Sequence, residues 1–131
     1  MLTRISVMVL RVCALLALIL GILFWIGVVP VTEAWQGIHM LLGILVVICL
    51  WVLAFTIGFA RNGGNLGLAI GAFLLGLIVL IYGVSQQNLF AMAPSLIWLL
   101  KTIHLLLGLG AVGMGEAIAG RQRRLAQTTS Q

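Results

Sequence analysis

Four long apolar stretches, residues 12–29, 35–60, 66–84 and 96–119, run along the chain with only short polar or turn-rich breaks between them. None alternates polar with apolar residues, so none has the period of two that a strand with one wet face needs. At a helical rise of about 1.5 Å per residue they reach about 27, 39, 29 and 36 Å, each enough to cross a hydrocarbon core of about 30 Å. Short links at residues 30–34 and 61–65 make successive helices antiparallel neighbours. The segment 85–95, with Gln86, Gln87, Asn88 and Pro94, reads as a longer loop on the membrane surface or against a partner, and residues 126–131 read as disordered. The pattern predicts an all-α, integral-membrane, up-down-up-down four-helix bundle, with residues 1–131 as one transmembrane domain and 120–131 as its tail.

Composition agrees with this. With 63% hydrophobic and 7% charged residues and a mean hydropathy of +1.30, the chain has too few polar groups to cover the surface of a soluble domain. Charge then sets orientation. Arg4 and Arg11 precede or open the first stretch, Arg61 follows the second, and Arg121, Arg123 and Arg124 follow the fourth, so six of the seven basic residues share one side. Cytoplasmic loops are enriched in basic residues, which predicts both termini in the cytoplasm, and size and topology favour a prokaryotic inner membrane. Trp25, Trp35, Tyr82 and Trp98 then form the aromatic belt of the outer interface. The net charge of +5 is topological, its arginines meeting anionic lipid headgroups; no soluble basic domain exists to carry a nucleic-acid groove. The first stretch is long enough to span, and Pro30 and Glu33 make a poor cleavage site, so it reads as a helix and not a secretory signal. Cys13 and Cys49 are expected to differ in depth by about 13 Å of helix rise, and read as small apolar residues, not a disulfide.

Only two histidines occur, each within nearly the same phrase: Ile38-His39-Met40-Leu41-Leu42-Gly43 and Ile103-His104-Leu105-Leu106-Leu107-Gly108. They lie 65 residues apart, and a weaker echo pairs Ala17-Leu18-Ile19-Leu20-Gly21 with Ala72-Phe73-Leu74-Leu75-Gly76, so the chain reads as a doubled helical hairpin. Counted from Trp35 and Trp98, the histidines sit about 6 and 9 Å below the outer interface, at similar height. The second and fourth helices are diagonal in such a bundle, so two inward imidazoles can hold one object on its axis. A flat iron macrocycle suits that geometry. Gly43 and Gly108, one turn deeper on the same faces, leave room for a ring against the backbone, and Ala111 and Gly115 continue the small-residue stripe. Lys101 stands one turn nearer the outer surface, placed to pair with a haem propionate, although snorkelling to the interface also accounts for it.

Other readings of the same residues stay open. Paired membrane histidines also serve as interhelical hydrogen-bonders. Zinc or copper wants three or four protein ligands, and Cys49 and Met40 are badly placed to add them, by depth and by helix face respectively. Glu116 is either a proton site or the partner of Arg11, Arg61 or Arg121. Gly67 with Gly71, and Gly110 with Gly113, read as helix-packing positions. The absence of Asp and the separation of Glu33 from Glu116 remove paired-carboxylate catalysis, and no phosphate loop or dinucleotide fingerprint occurs.

On the histidine phrases followed by Leu-Leu-Gly, or nearly so, in the second and fourth helices, residues 12–119 resemble the small four-helix bis-histidine membrane b-type cytochromes, in particular one half of haem A synthase. The catalytic half of haem A synthase carries a glutamate four residues before the second-helix histidine, where this chain has Trp35. The resemblance implies haem b as cofactor, His39 and His104 as its axial ligands, and electron transfer rather than catalysis. Candidate cofactor-binding residues are thus His39, His104, Gly43, Gly108, Lys101 and Trp35, with the two histidines as metal ligands and no catalytic residue assigned. A quinol or an outer-face redox protein would be the partner. A small transporter or channel built on Glu116, a subunit of a larger complex or homo-oligomer, and a haem-modifying half-protein are the alternatives.

Overall fold

The computed structural model describes residues 2–60 and 64–128. The fold is all-helical: α1 (Leu2–Trp25), α2 (Glu33–Gly58), α3 (Leu66–Met92) and α4 (Ile97–Thr128), with one turn of 3-10 helix, Pro94–Leu96, leading into α4. All four helices are long and apolar enough to cross a membrane. They run antiparallel in sequence, so both termini lie at one end of the bundle, here called the terminal end, and the histidines lie toward the other.

Helix boundaries depart from the apolar stretches for identifiable reasons. The segment 85–92 is helical, not a loop: between Gly83 and Pro94 nothing breaks a helix, and glutamine is a good helix former. The break waits for Pro94, whose ring excludes the residue before it from the helical region, and Ala93 sits at φ −135°, ψ 65°. α4 likewise runs on through Arg121–Ala126 to Thr128, all helix-favouring residues after Gly120, so the expected disorder does not begin at residue 126; residues 129–131 lie outside the described residues. α1 starts ten residues before its apolar stretch and stops at Trp25, because the chain turns at Gly27, whose φ of 74° suits glycine alone. Thr32 and Asn65 cap α2 and α3, accepting from the backbone N–H of Trp35 and Leu68 at 3.4 and 2.9 Å. Arg61, used above for orientation, and the rest of the link 61–63 lie outside the described residues.

Lipid is as apolar as leucine, so these helices gain little from hiding hydrocarbon; they associate by close packing and interhelical hydrogen bonds. α2 and α4 each pack against all three other helices, whereas α1 and α3 do not meet. The cross-section is therefore a rhombus with α2 and α4 in contact along its short diagonal. Leu10, Leu50, Leu53, Ile57 and Ile118 fill the core of the terminal half, set against small residues of α3 and α4, namely Ala69, Ala72, Gly76, Ala111, Gly115 and Ala119. Cys13 and Cys49, both free, belong to this one core. The expected difference in depth fails because α1 begins at Leu2, which puts Cys13 in mid-helix.

Polar ties reinforce this half. Arg11 on α1 donates a fork of hydrogen bonds to Glu116 on α4, Nε to Oε1 at 2.5 Å and Nη2 to Oε2 at 2.7 Å. Gln122 on α4 donates to the Thr56 hydroxyl on α2 at 2.7 Å. Trp51 on α2 stacks on Phe73 of α3, ring centroids 5.1 Å apart, and its indole N–H donates to the Phe73 carbonyl at 3.1 Å. Gly76 makes that approach possible, since a Cβ there would lie 2.5 Å from the bonded indole nitrogen. Gly76→Ala should therefore destabilise the bundle by about 1–3 kcal/mol, the usual cost of overpacking; an unchanged thermal midpoint in detergent would show that the α2–α3 seam is looser than described.

Candidate functional site

His39 opens the second turn of α2 and His104 stands seven residues into α4, so both imidazoles lie about 9–10 Å of helix rise from the histidine end. Because α2 and α4 touch across the short diagonal, the two rings meet: their centroids are 6.0 Å apart and their planes differ by 46°. The Nδ1 atom of each ring is buried with no hydrogen-bond partner among the described residues. A neutral imidazole has one donor and one acceptor nitrogen, and leaving one unpaired in a dry interior costs about 1–3 kcal/mol. Of the three buried side-chain atoms without a partner among the described residues, these two sit on neighbouring rings and the third is Gln122 Oε1; a pair of imidazoles is also a strong donor set for a metal.

Each ring is framed by the preceding helix of its own hairpin. Phe24 of α1 meets His39 edge-on, centroids 5.8 Å apart and planes at 66°, and a Cβ on Gly21 would sit 3.3 Å from His39 Cε1. Tyr82 of α3 lies nearly parallel to His104 at 5.8 Å and 22°, while a Cβ on Gly83 would sit 3.7 Å from His104 Cε1. One aromatic ring and one glycine per hairpin thus cradle each imidazole. The upstream echo is out of phase with the histidine phrases: the glycine that meets His104 as Gly21 meets His39 is Gly83, not Gly76, which packs on Trp51 one heptad deeper. A heptad is two turns, so the same face recurs and the echo passes for a match.

Packing around the pair differs from packing below it. Residues 33–45 of α2, 77–92 of α3 and 97–110 of α4 include no fully buried residue, and beyond Cys13 only Leu20 of α1 is buried. Protein interiors are ordinarily packed like organic crystals; here that density holds in the terminal half and lapses in the histidine half. Gly43 and Gly108 lie within the loose region, and a Cβ added to either meets nothing within 4 Å.

The remaining candidates divide. Lys101 is half-buried, one turn from His104 on the same face, with no ion pair among the described residues. Trp35, on the His39 face one turn nearer the helix start, is 44% exposed and stands at the periphery of the site. Ala111 and Gly115 belong to the tight core, where Gly115 lies against Leu10; they are not a continuation of the site. Met40 and Met92 are exposed, and Glu116 is held by Arg11 far from the histidines. Among the described residues no group of three His, Cys, Asp or Glu side chains forms, so the imidazoles are the pair's whole complement of such donors. Phe24, Tyr82, Gly21 and Gly83 are not apparent as site residues from sequence; an aromatic and a glycine near the histidine end of each preceding helix are the available signal.

Comparison with known families, curated proteins and solved structures finds no match to this chain. The site therefore rests on its own geometry. Gly43→Ala and Gly108→Ala should each be tolerated or raise stability by about 0.5–1 kcal/mol, because open space accepts the methyl and alanine favours the helix. A drop in thermal midpoint comparable to that of Gly76→Ala would contradict the open faces described.

Proposed function

We propose that this chain binds a b-type haem between α2 and α4, with His39 and His104 as axial ligands, and passes single electrons to or from a quinol or a redox protein at the histidine end. The observation that carries this reading is the meeting of two half-buried imidazoles from diagonal helices at 6.0 Å, each with a buried Nδ1. Two imidazole nitrogens each about 2 Å from one metal, with their ring centres about 1 Å further out, place the centroids roughly 6 Å apart, so the separation fits a bis-imidazole set. Two protein donors are too few for a structural zinc site, but they are the number needed where a macrocycle fills the other positions.

When bound, a haem supplies one-electron redox chemistry at its iron. The chain's own residues do the rest. His39 and His104 supply a lone pair each from rigid helices, Gly43 and Gly108 leave flat backbone one turn deeper, and Phe24 and Tyr82 hold water away from the rings. Lys101 offers a positive charge for carboxylates near the membrane boundary. The arginine bias of the sequence supports a reading with both termini in the cytoplasm and the site in the outer half of an inner membrane. One site at that depth reaches a partner from the outer side or from within the lipid, which is why a quinol or an outer-face protein is the partner proposed.

Protein purified in detergent and titrated with hemin should develop a Soret band that moves on reduction with dithionite, and His39→Ala or His104→Ala should each lose the low-spin spectrum. Absence of the band, or its persistence unaltered in both variants, would remove the haem assignment and leave the membrane bundle.

A further inference from the structure

The two histidines are framed alike, and beside one of them the framing ring also carries a hydroxyl. Tyr82 on α3 donates its O–H to the Leu100 carbonyl of α4 at 2.8 Å. In an α-helix that carbonyl also accepts the backbone N–H four residues on, which here belongs to His104. The tyrosine therefore grips the turn that carries His104 while its ring lies nearly parallel to the imidazole, centroids 5.8 Å apart and planes at 22°, and its neighbour Gly83 keeps the ring edge clear. Phe24, the ring beside His39, has no hydroxyl and meets it edge-on; the His39 imidazole lies instead within hydrogen-bonding reach of the Ala17 backbone on α1.

We propose that Tyr82 is the positioning residue of His104, fixing both the backbone turn and the ring plane of that imidazole. The proposal deepens the haem reading by naming what orients one of its two ligands, and rests on that reading for its consequence in cofactor binding. Groups that orient a metal-binding imidazole matter nearly as much as the ligand itself, and their loss typically weakens binding by about 10–100-fold. The loose packing of this half, where α3 buries no residue beyond Gly76, leaves few other contacts to hold the ring.

The test uses Tyr82→Phe, which keeps the aromatic ring and removes the hydroxyl, in the full chain in detergent. In hemin titrations the variant should bind about tenfold more weakly than the parent, and its low-spin electron paramagnetic resonance signal should broaden into more than one species. A haem-free readout separates this proposal from the one it builds on. With histidine labelled at ring Cε1, His104 should give one sharp resonance in the parent and a broadened or doubled one in Tyr82→Phe, with His39 unchanged. Identical His104 resonances in parent and variant would overturn the positioning role whether or not hemin binds; a changed resonance in a parent that takes up no hemin would keep the role and discard the haem.

Discussion

Helices surrounded by lipid gain nothing by hiding leucine from it, so they stay together only where shape allows close approach or where a polar group has no better partner than its neighbour. Both conditions are met in the terminal half of this bundle. Small residues on α3 and α4 let the large side chains of α1 and α2 sit fully buried between them. Arg11 with Glu116, Gln122 with Thr56, and Trp51 with the Phe73 carbonyl then tie α1 to α4, α4 to α2 and α2 to α3. The rhombic section, with α2 and α4 in contact and α1 apart from α3, follows from where those small residues fall.

The histidine half obeys a different arrangement because the same α2–α4 contact carries two polar rings into an apolar space. Each imidazole retains a buried nitrogen without a partner, and the surrounding faces, with Gly43 and Gly108 open, do not close around them. A purely structural histidine pair would be expected in a tightly packed place, where each nitrogen finds a carbonyl or hydroxyl. Loose packing together with unpartnered nitrogens is the combination on which the proposed haem rests. The tight half fixes the distance between α2 and α4, and the loose half uses it.

Much of this was legible in the sequence because membrane residence is written in composition and because histidine is rare in such helices. The four spans, the pairing of His39 with His104 and the openness at Gly43 and Gly108 followed from periodicity and helical rise. Three features did not. Polarity at 85–88 masked a helix that only Pro94 could end, since glutamine and serine lower hydropathy without breaking backbone. The uniform apolarity of all four helices hid which half packs tightly, because in lipid the outward faces are as hydrophobic as the core. The framing glycines 21 and 83 are among sixteen glycines in the chain, and nothing local distinguishes them from Gly76, which serves Trp51.

The account stands on the meeting of two rings, and a chain with two histidines allows that meeting to be measured without ambiguity. In protein carrying fully ¹³C,¹⁵N-labelled histidine and reconstituted in lipid bilayers, solid-state correlation spectra should show cross-peaks between the His39 and His104 rings, as a centroid separation of 6.0 Å requires. Intraresidue peaks alone, with no transfer between the two imidazoles at long mixing times, would place the rings apart and contradict the site from which the function was inferred.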